Sequence, residues 1–174
     1  MAARIESLRE HPEVSLPPES GESYGENALR KARAVQAALG LPALGDDSGI
    51  EVDALGGAPG IRSARYAGPA AGDAENNARL LSALAGRSGG ERSARFRCVL
   101  ALVRSAGEEL VVEGVCEGRI LETPAGDRGF GYDPLFVPEG ETLTFAQLPA
   151  AVKNRISHRA RAAAALRAAA RSPW

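Results

Sequence analysis

Phe96, Cys98, Leu100 and Leu102 share one parity, and beyond Ser105-Ala106-Gly107 the stretch from Leu110 to Val115 is rich in β-branched residues. A period of two marks a strand with one buried face, so the two runs predict a pair of strands turning near Gly107. Cys98 and Cys116 lie equally far from Gly107, which would set them opposite each other across that hairpin. Two cysteines so placed do not make a zinc cluster or a Cys-x-x-Cys redox pair, and in a reducing cytosol both are expected as free, buried thiols.

Helical signals surround this ribbon. Ser23-Tyr24-Gly25-Glu26 has the spacing of a capping box and Gly40-Leu41-Pro42 supplies a stop, so a helix is predicted between them with Leu29, Ala32, Val35 and Leu39 on its apolar face. A second is predicted from Asn76 to Ala85, with Leu80, Leu81 and Leu84 inward and Gly86 closing it. The Ala-Arg-Leu segment from about Ser157 to Arg171 has the propensity of a long closing helix. Between the first two, Pro42-Ala43-Leu44 reaches Gly45-Asp46-Asp47-Ser48-Gly49 and resumes as Ile50-Glu51-Val52, the pattern of a strand running into a tight polar turn.

Helices and strands interleave without a repeat or linker, which predicts one mixed α/β domain over residues 1–174 with antiparallel portions. That length suffices for a core that buries roughly two thirds of the unfolded surface. Gly and Pro concentrate from Gly56 to Gly72 and from Pro124 to Gly140, long loops of the kind that carry function. A net charge of -1 argues against a surface that wraps nucleic acid. Met1-Ala2-Ala3-Arg4-Ile5-Glu6 has no apolar leader and no run approaches the roughly 18 apolar residues of a membrane span, so a cytoplasmic protein is expected.

Three groups of residues bear chemistry. Asp46 and Asp47 offer hard oxygen ligands of the kind magnesium shares with substrate phosphates, and a carboxylate there could deprotonate water; the same Asp-Asp-Ser-Gly is also what a solvated turn looks like. Lys31 shares a helix face with Asn27, and Lys153, His158 and Arg159 gather at the last helix, whose first turn would attract an anion if Ser157 caps it; exposed surface cations would look no different. Gly129-Phe130-Gly131-Tyr132-Asp133-Pro134 puts two aromatic rings and a carboxylate in a glycine-flanked loop, able to stack on a base or to plug the core beneath a turn.

Taken in order, Gly25-Glu26-Asn27-Ala28 with Lys31-Ala32, Asp46-Asp47-Ser48-Gly49, Gly56-Gly57-Ala58-Pro59-Gly60, Ser63-Ala64-Arg65-Tyr66, Gly129 through Pro134, and Lys153-Asn154 with Ser157-His158-Arg159 resemble the inosine/xanthosine triphosphate pyrophosphatase family, which removes non-standard purine nucleotides. The likeness runs from about Glu19 to Ala170. It implies a long, twisted, mixed sheet with flanking helices and two lobes around a central nucleotide cleft, a homodimer, a magnesium requirement, and cleavage of ITP, dITP or XTP to the monophosphate and pyrophosphate. It further implies Asp47 as general base and metal ligand with Asp46 in support, Glu19 as a further metal ligand, and Lys31 facing the phosphates. Ser48 would touch substrate, Phe130, Gly131, Tyr132 and Asp133 would form the base-binding loop with Phe130 stacked on the purine, and Lys153, His158 and Arg159 would hold the nucleotide.

Members of that family open with a hydrophobic strand and a Thr/Ser-x-Asn-x-x-Lys loop, whereas Met1 to Leu8 here resembles the helix that follows it. The loop is therefore expected to be missing from this chain, through a start codon assigned too late. Two alternatives stand beside the enzyme: a catalytically impaired nucleotide-binding protein, and a related enzyme acting on modified pyrimidines.

Overall fold

The computed structural model describes residues 4–105 and 107–170. A helix α1, Tyr24–Leu39, leads into strand β1, Ala43–Val52; α2, Asp73–Ala83, precedes the long strands β2, Ser93–Ser105, and β3, Glu108–Ile120; β4, Phe136–Pro138, and the helices α3, Ala150–Ile156, and α4, His158–Ala169, complete the order. The strands form one sheet in the order β1-β2-β3-β4, each pairing antiparallel. The α/β class is as expected. Met1–Ala3, Ala106 in the predicted turn, and Arg171 at the predicted end of the last helix lie outside the described residues. Near the N-terminus the described residues carry a single 3-10 turn, Leu8–Glu10, where the sequence resembles a helix.

The tetrapeptide at Asp46 is not a turn. Every residue of β1 from Ala43 to Val52 has a partner in β2, Asp46 facing Leu100 and Asp47 facing Val99. Gly45 and Gly49, which signal a turn in the sequence, sit in the strand because neighbouring chain lies against them. A Cβ at Gly45 would overlap the Ala28 carbonyl of α1, and one at Gly49 the Gly60 carbonyl. The same close approach corrects the expected face of α1: Tyr24, Asn27, Ala28 and Ala32 are buried, while Leu29, Val35 and Leu39 are only partly covered.

Both faces of the sheet are covered at its centre, which is why β2 is buried without alternation from Cys98 to Ala101. On one face Val99, Ala101 and Val103 pack with Tyr24, Ala28 and Ala32 of α1. On the other Cys98 and Leu100 meet Ala162 of α4. A larger cluster around Phe96, Phe136, Phe145, Leu80 and Leu84 joins the sheet to α2 and to the loop after β3. Ser105 pairs with Glu108, which centres the β2–β3 hairpin before Gly107, and the register shifts by one more between Val103 and Ser105. Together these set Cys98 opposite Gly114 and Cys116 opposite Phe96 rather than each facing the other; both thiols are free.

Gly114 is where α4 touches the sheet, for an added Cβ would overlap the Ala162 nitrogen and the His158 carbonyl oxygen. Both obstacles are backbone and neither can rotate away. Gly114→Ala is therefore expected to cost about 3 kcal/mol, measured as a lowered midpoint in chemical unfolding.

Candidate active site

Strand alternation sends Asp46 and Asp47 to opposite faces of β1. Asp47 faces α1, whose start is fixed by Ser23: its Oγ accepts from the Glu26 amide at 3.1 Å. The expected capping box is half made, since the Glu26 carboxylate accepts from Glu22 rather than from Ser23. One turn further along, Asn27 and Lys31 project together toward β1. Asn27 accepts from the Gly21 amide at 2.8 Å and donates to Asp47 Oδ2 at 3.2 Å.

Lys31 gives its three N–H groups to three oxygens from two segments: Glu19 Oε1 at 2.6 Å, and on β1 Asp47 Oδ1 at 2.9 Å and the Asp46 carbonyl at 2.9 Å. Arg65 holds Glu19 in turn, donating to its carboxylate at 3.0 Å and to its carbonyl at 2.9 Å. Burial raises the proton affinity of Asp47 more than Lys31 and Asn27 lower it, so its pKa lies above the ordinary carboxylate value. Burial acts on Glu19 in the same direction, but there Lys31 and Arg65 prevail and the pKa is lowered. Beside Glu19 opens a cavity of about 360 Å³ walled by Ser20, Gly21, Ile61, Arg62 and Arg65.

Among the described residues no three His, Cys, Asp or Glu side chains gather as a metal site. What converges instead is two carboxylates and one carbonyl around a single cation, the Lys31 ammonium. Hard oxygens alone, two of them anionic, are the donor set that suits magnesium, so the residues present fit that ion.

Asp46 faces α4. Ser157 caps that helix, its Oγ accepting from the Ala160 amide at 3.2 Å, and so places His158 and Arg159 in the first turn as expected. Arg159 grips Asp46 with a fork, Nη2 to Oδ1 at 3.1 Å and Nε to Oδ2 at 3.2 Å. Ser48 donates to the first oxygen at 3.1 Å and the Cys98 thiol to the second at 3.2 Å. Arg159 also lies 5.4 Å from the centre of the Phe130 ring, and Lys153, on α3, lies 5.0 Å from it.

The Gly129–Pro134 loop divides its two aromatics. Phe130 is 62% exposed, whereas Tyr132 is 4% exposed and donates to the Ser63 carbonyl at 2.8 Å beneath the loop. Asp133 accepts from the Phe130 amide and pairs with Lys153. Asp73 and Asn77, one turn apart on α2, hold both polar groups of the Gly131 backbone, Asp73 accepting from its amide at 2.6 Å and Asn77 donating to its carbonyl at 2.9 Å. Sequence reasoning missed both, because the helical spacing is visible but its target is not.

His158 is buried and stacks on Phe96 with ring centres 4.7 Å apart. Its Nε2 lies 3.2 Å from Arg159 Nη1, so Nε2 accepts and Nδ1 carries the proton, buried without a partner among the described residues. Burial, with the charge of Arg159, depresses its pKa from 6.5 to about 3. The unfolded chain thus takes up a proton near pH 6.5 that the folded chain refuses until about pH 3, so this group's contribution to stability is lost as the pH falls through that window. Between pH 7 and pH 5 the unfolding free energy is expected to drop more in the parent than in His158→Gln, measured by urea titration at each pH.

The expected site residues therefore form two groups. Glu19, Lys31 and Asp47 gather on the α1 face of β1; Asp46, Ser48, Phe130, Asp133, Lys153, His158 and Arg159 gather on the α4 face. β1 is an edge strand among the described residues, its outer side engaged from Ile50 to Val52 by Ser63, Ala58 and Pro59, so a ligand that meets both groups passes around the edge ahead of that segment.

A model of the Ham1 family matches residues 1–169. The chain is 56% identical over 150 residues to the dITP/XTP pyrophosphatase of Methylococcus capsulatus, a match covering 85% of this chain and 75% of that protein. It is 46% identical over 170 residues to the dITP/XTP pyrophosphatase of Shouchella clausii, covering 98% and 86% respectively. Its fold superposes on a HAM1 protein from Coxiella burnetii with a TM-score of 0.86 at 42% identity, over 93% of this chain and 83% of that one.

Proposed function

Because the chain belongs to the Ham1 family, we propose that it hydrolyses non-standard purine nucleoside triphosphates (ITP, dITP and XTP) to the nucleoside monophosphate and pyrophosphate. The observation that carries this is the pairing around one strand of an oxygen cradle with its own cation, at Asp47, and an exposed ring flanked by two cations, at Phe130.

On this reading Glu19, Asp47 and the Asp46 carbonyl hold Mg2+, which neutralises charge on the phosphate oxygens. Lys31 meets the same phosphates with its ammonium, and Asp47 orients and deprotonates the attacking water. Burial keeps Asp47 more basic than an ordinary carboxylate, which suits a general base. Phe130 stacks on the purine, Ser48 contacts the nucleotide, and Gly131, Tyr132 and Asp133 keep the loop in shape. Lys153, Arg159 and the protonated Nδ1 of His158 are donors, which a 6-oxo group satisfies and the amino group of adenine does not. Leaving such donors unpaired is what rejects the wrong base.

The reading carries with it a single pyrophosphatase domain acting as a cytoplasmic homodimer, whose mass in solution can be measured directly. No helix among the described residues is long and apolar enough to cross a membrane. The decisive experiment is release of pyrophosphate from ITP, XTP, dITP, ATP, GTP and dTTP with Mg2+. Turnover of the first three well above ATP and dTTP is expected, while GTP, which shares the 6-oxo group, reports what else the site reads. Purine monophosphate binding without any release would leave a nucleotide-binding protein, and preference for dTTP would move the substrate class to pyrimidines.

A further inference from the structure

We propose that the carboxylate of Asp46 is a positioning group for base recognition, holding Arg159 against Phe130, with Cys98 and Ser48 holding Asp46 in turn. The proposal rests on the nucleotide reading above and adds to it a division of labour within adjacent aspartates: Asp47 serves the phosphate side of β1, and the Asp46 side chain serves the base side.

Arg159 occupies the first turn of α4, where the positive end of the helix disfavours a cation. It stays there because Asp46 takes its Nε and Nη2 in a two-point fork, a geometry that fixes the plane of the guanidinium as well as its position. That plane governs what Arg159 can present to a ring stacked on Phe130, 5.4 Å away, and it also sets the bond from Nη1 to His158 Nε2 that leaves the His158 proton on Nδ1. A tilt of one guanidinium therefore disturbs two of the donors that would read the base.

Both Asp46 oxygens have a further donor, Ser48 Oγ on Oδ1 and Cys98 Sγ on Oδ2. Cys98 is wholly buried opposite Gly114 in the hairpin, and burial raises its pKa to about 12, so the thiol stays protonated and remains a donor at any ordinary pH. With four donors around it, the Asp46 carboxylate has little capacity left for a metal. Its carbonyl, on the Lys31 side, is the atom that faces the cation cradle.

The test uses the full chain with IMP, which probes the base site without turnover, and ITP against ATP for discrimination. Asp46→Asn keeps the shape but loses the charge and half of the fork; IMP affinity by calorimetry is expected to fall on the order of 10- to 100-fold, the worth of a charge-assisted hydrogen bond. The ITP/ATP ratio of kcat/KM should narrow, with no change in the Mg2+ concentration that gives half activation. Cys98→Ala should move both readouts the same way by less, Cys98→Ser should restore them, and this pair carries the test should Asp46→Asn fail to fold. An Asp46→Asn chain that binds IMP like the parent but needs more Mg2+ overturns the proposal and makes the carboxylate a metal ligand. A parent that binds no IMP removes the nucleotide reading and this proposal with it, whereas a parent that binds IMP without releasing pyrophosphate leaves the calorimetric comparison intact.

Discussion

Asp47→Asn is expected to lower kcat for pyrophosphate release by about 10³-fold, within the range that general bases contribute, while leaving IMP affinity unchanged. The substitution keeps the size of the side chain and its bond from Asn27, but an amide cannot accept a proton. Asp47 is 6% exposed, and burial outweighs the two donors on its oxygens, so its carboxylate takes up a proton more readily than an ordinary one. The acid limb of kcat/KM should accordingly lie above the carboxylate reference of 3.8. Steady-state kinetics and IMP calorimetry on the same preparation separate the outcomes. A fall in kcat of less than about 10-fold would assign the base elsewhere, and a parallel loss of IMP affinity would show that the variant had disturbed the α4 face as well.

Sequence reading succeeded where the determinant is local. Ser23 and Gly40 bound α1 because a cap and a left-handed glycine act on the residues beside them. Ser157 does the same for α4, and the alternation from Phe96 announces β2. It failed where neighbours decide. Asp46 to Gly49 have turn chemistry, yet ten pairings with β2 and the pressure of α1 on Gly45 make them a strand. The consequence for function is large, because a turn would have shown both carboxylates to one ligand and a strand separates them by its two faces. The same holds for the cysteines, which the Ser105–Glu108 pairing and a further register shift near Val103 together keep out of opposition, and for Phe130 and Tyr132, which are alike in sequence until the loop exposes one and buries the other. The family resemblance named the candidate residues in order; only the pleat of β1 sorts them into two groups.

Lys31→Met tests the phosphate side from its cation, with a loss of kcat on the order of 10²-fold expected, as for removal of one positioned donor from a charged transition state. Its effect on the protein without nucleotide is more discriminating. Lys31 spends all three donors on Glu19, Asp47 and the Asp46 carbonyl, so methionine, of similar length and no charge, leaves two carboxylates and a carbonyl facing one another. Glu19 is partly exposed and water can reach it, which reduces the penalty below that of a fully buried broken pair to about 1–3 kcal/mol. A divalent cation bound to the folded chain alone would offset that loss by mass action. In the parent the ammonium already fills the cradle, and Mg2+ without nucleotide should barely move the melting temperature. In Lys31→Met the melting temperature should start lower and rise by several degrees on adding millimolar Mg2+, a shift of the size about 1–2 kcal/mol produces in a chain of this length. If Mg2+ moves neither protein, the three oxygens around Lys31 do not hold a metal, and the ion must bind with the nucleotide elsewhere along the edge of β1.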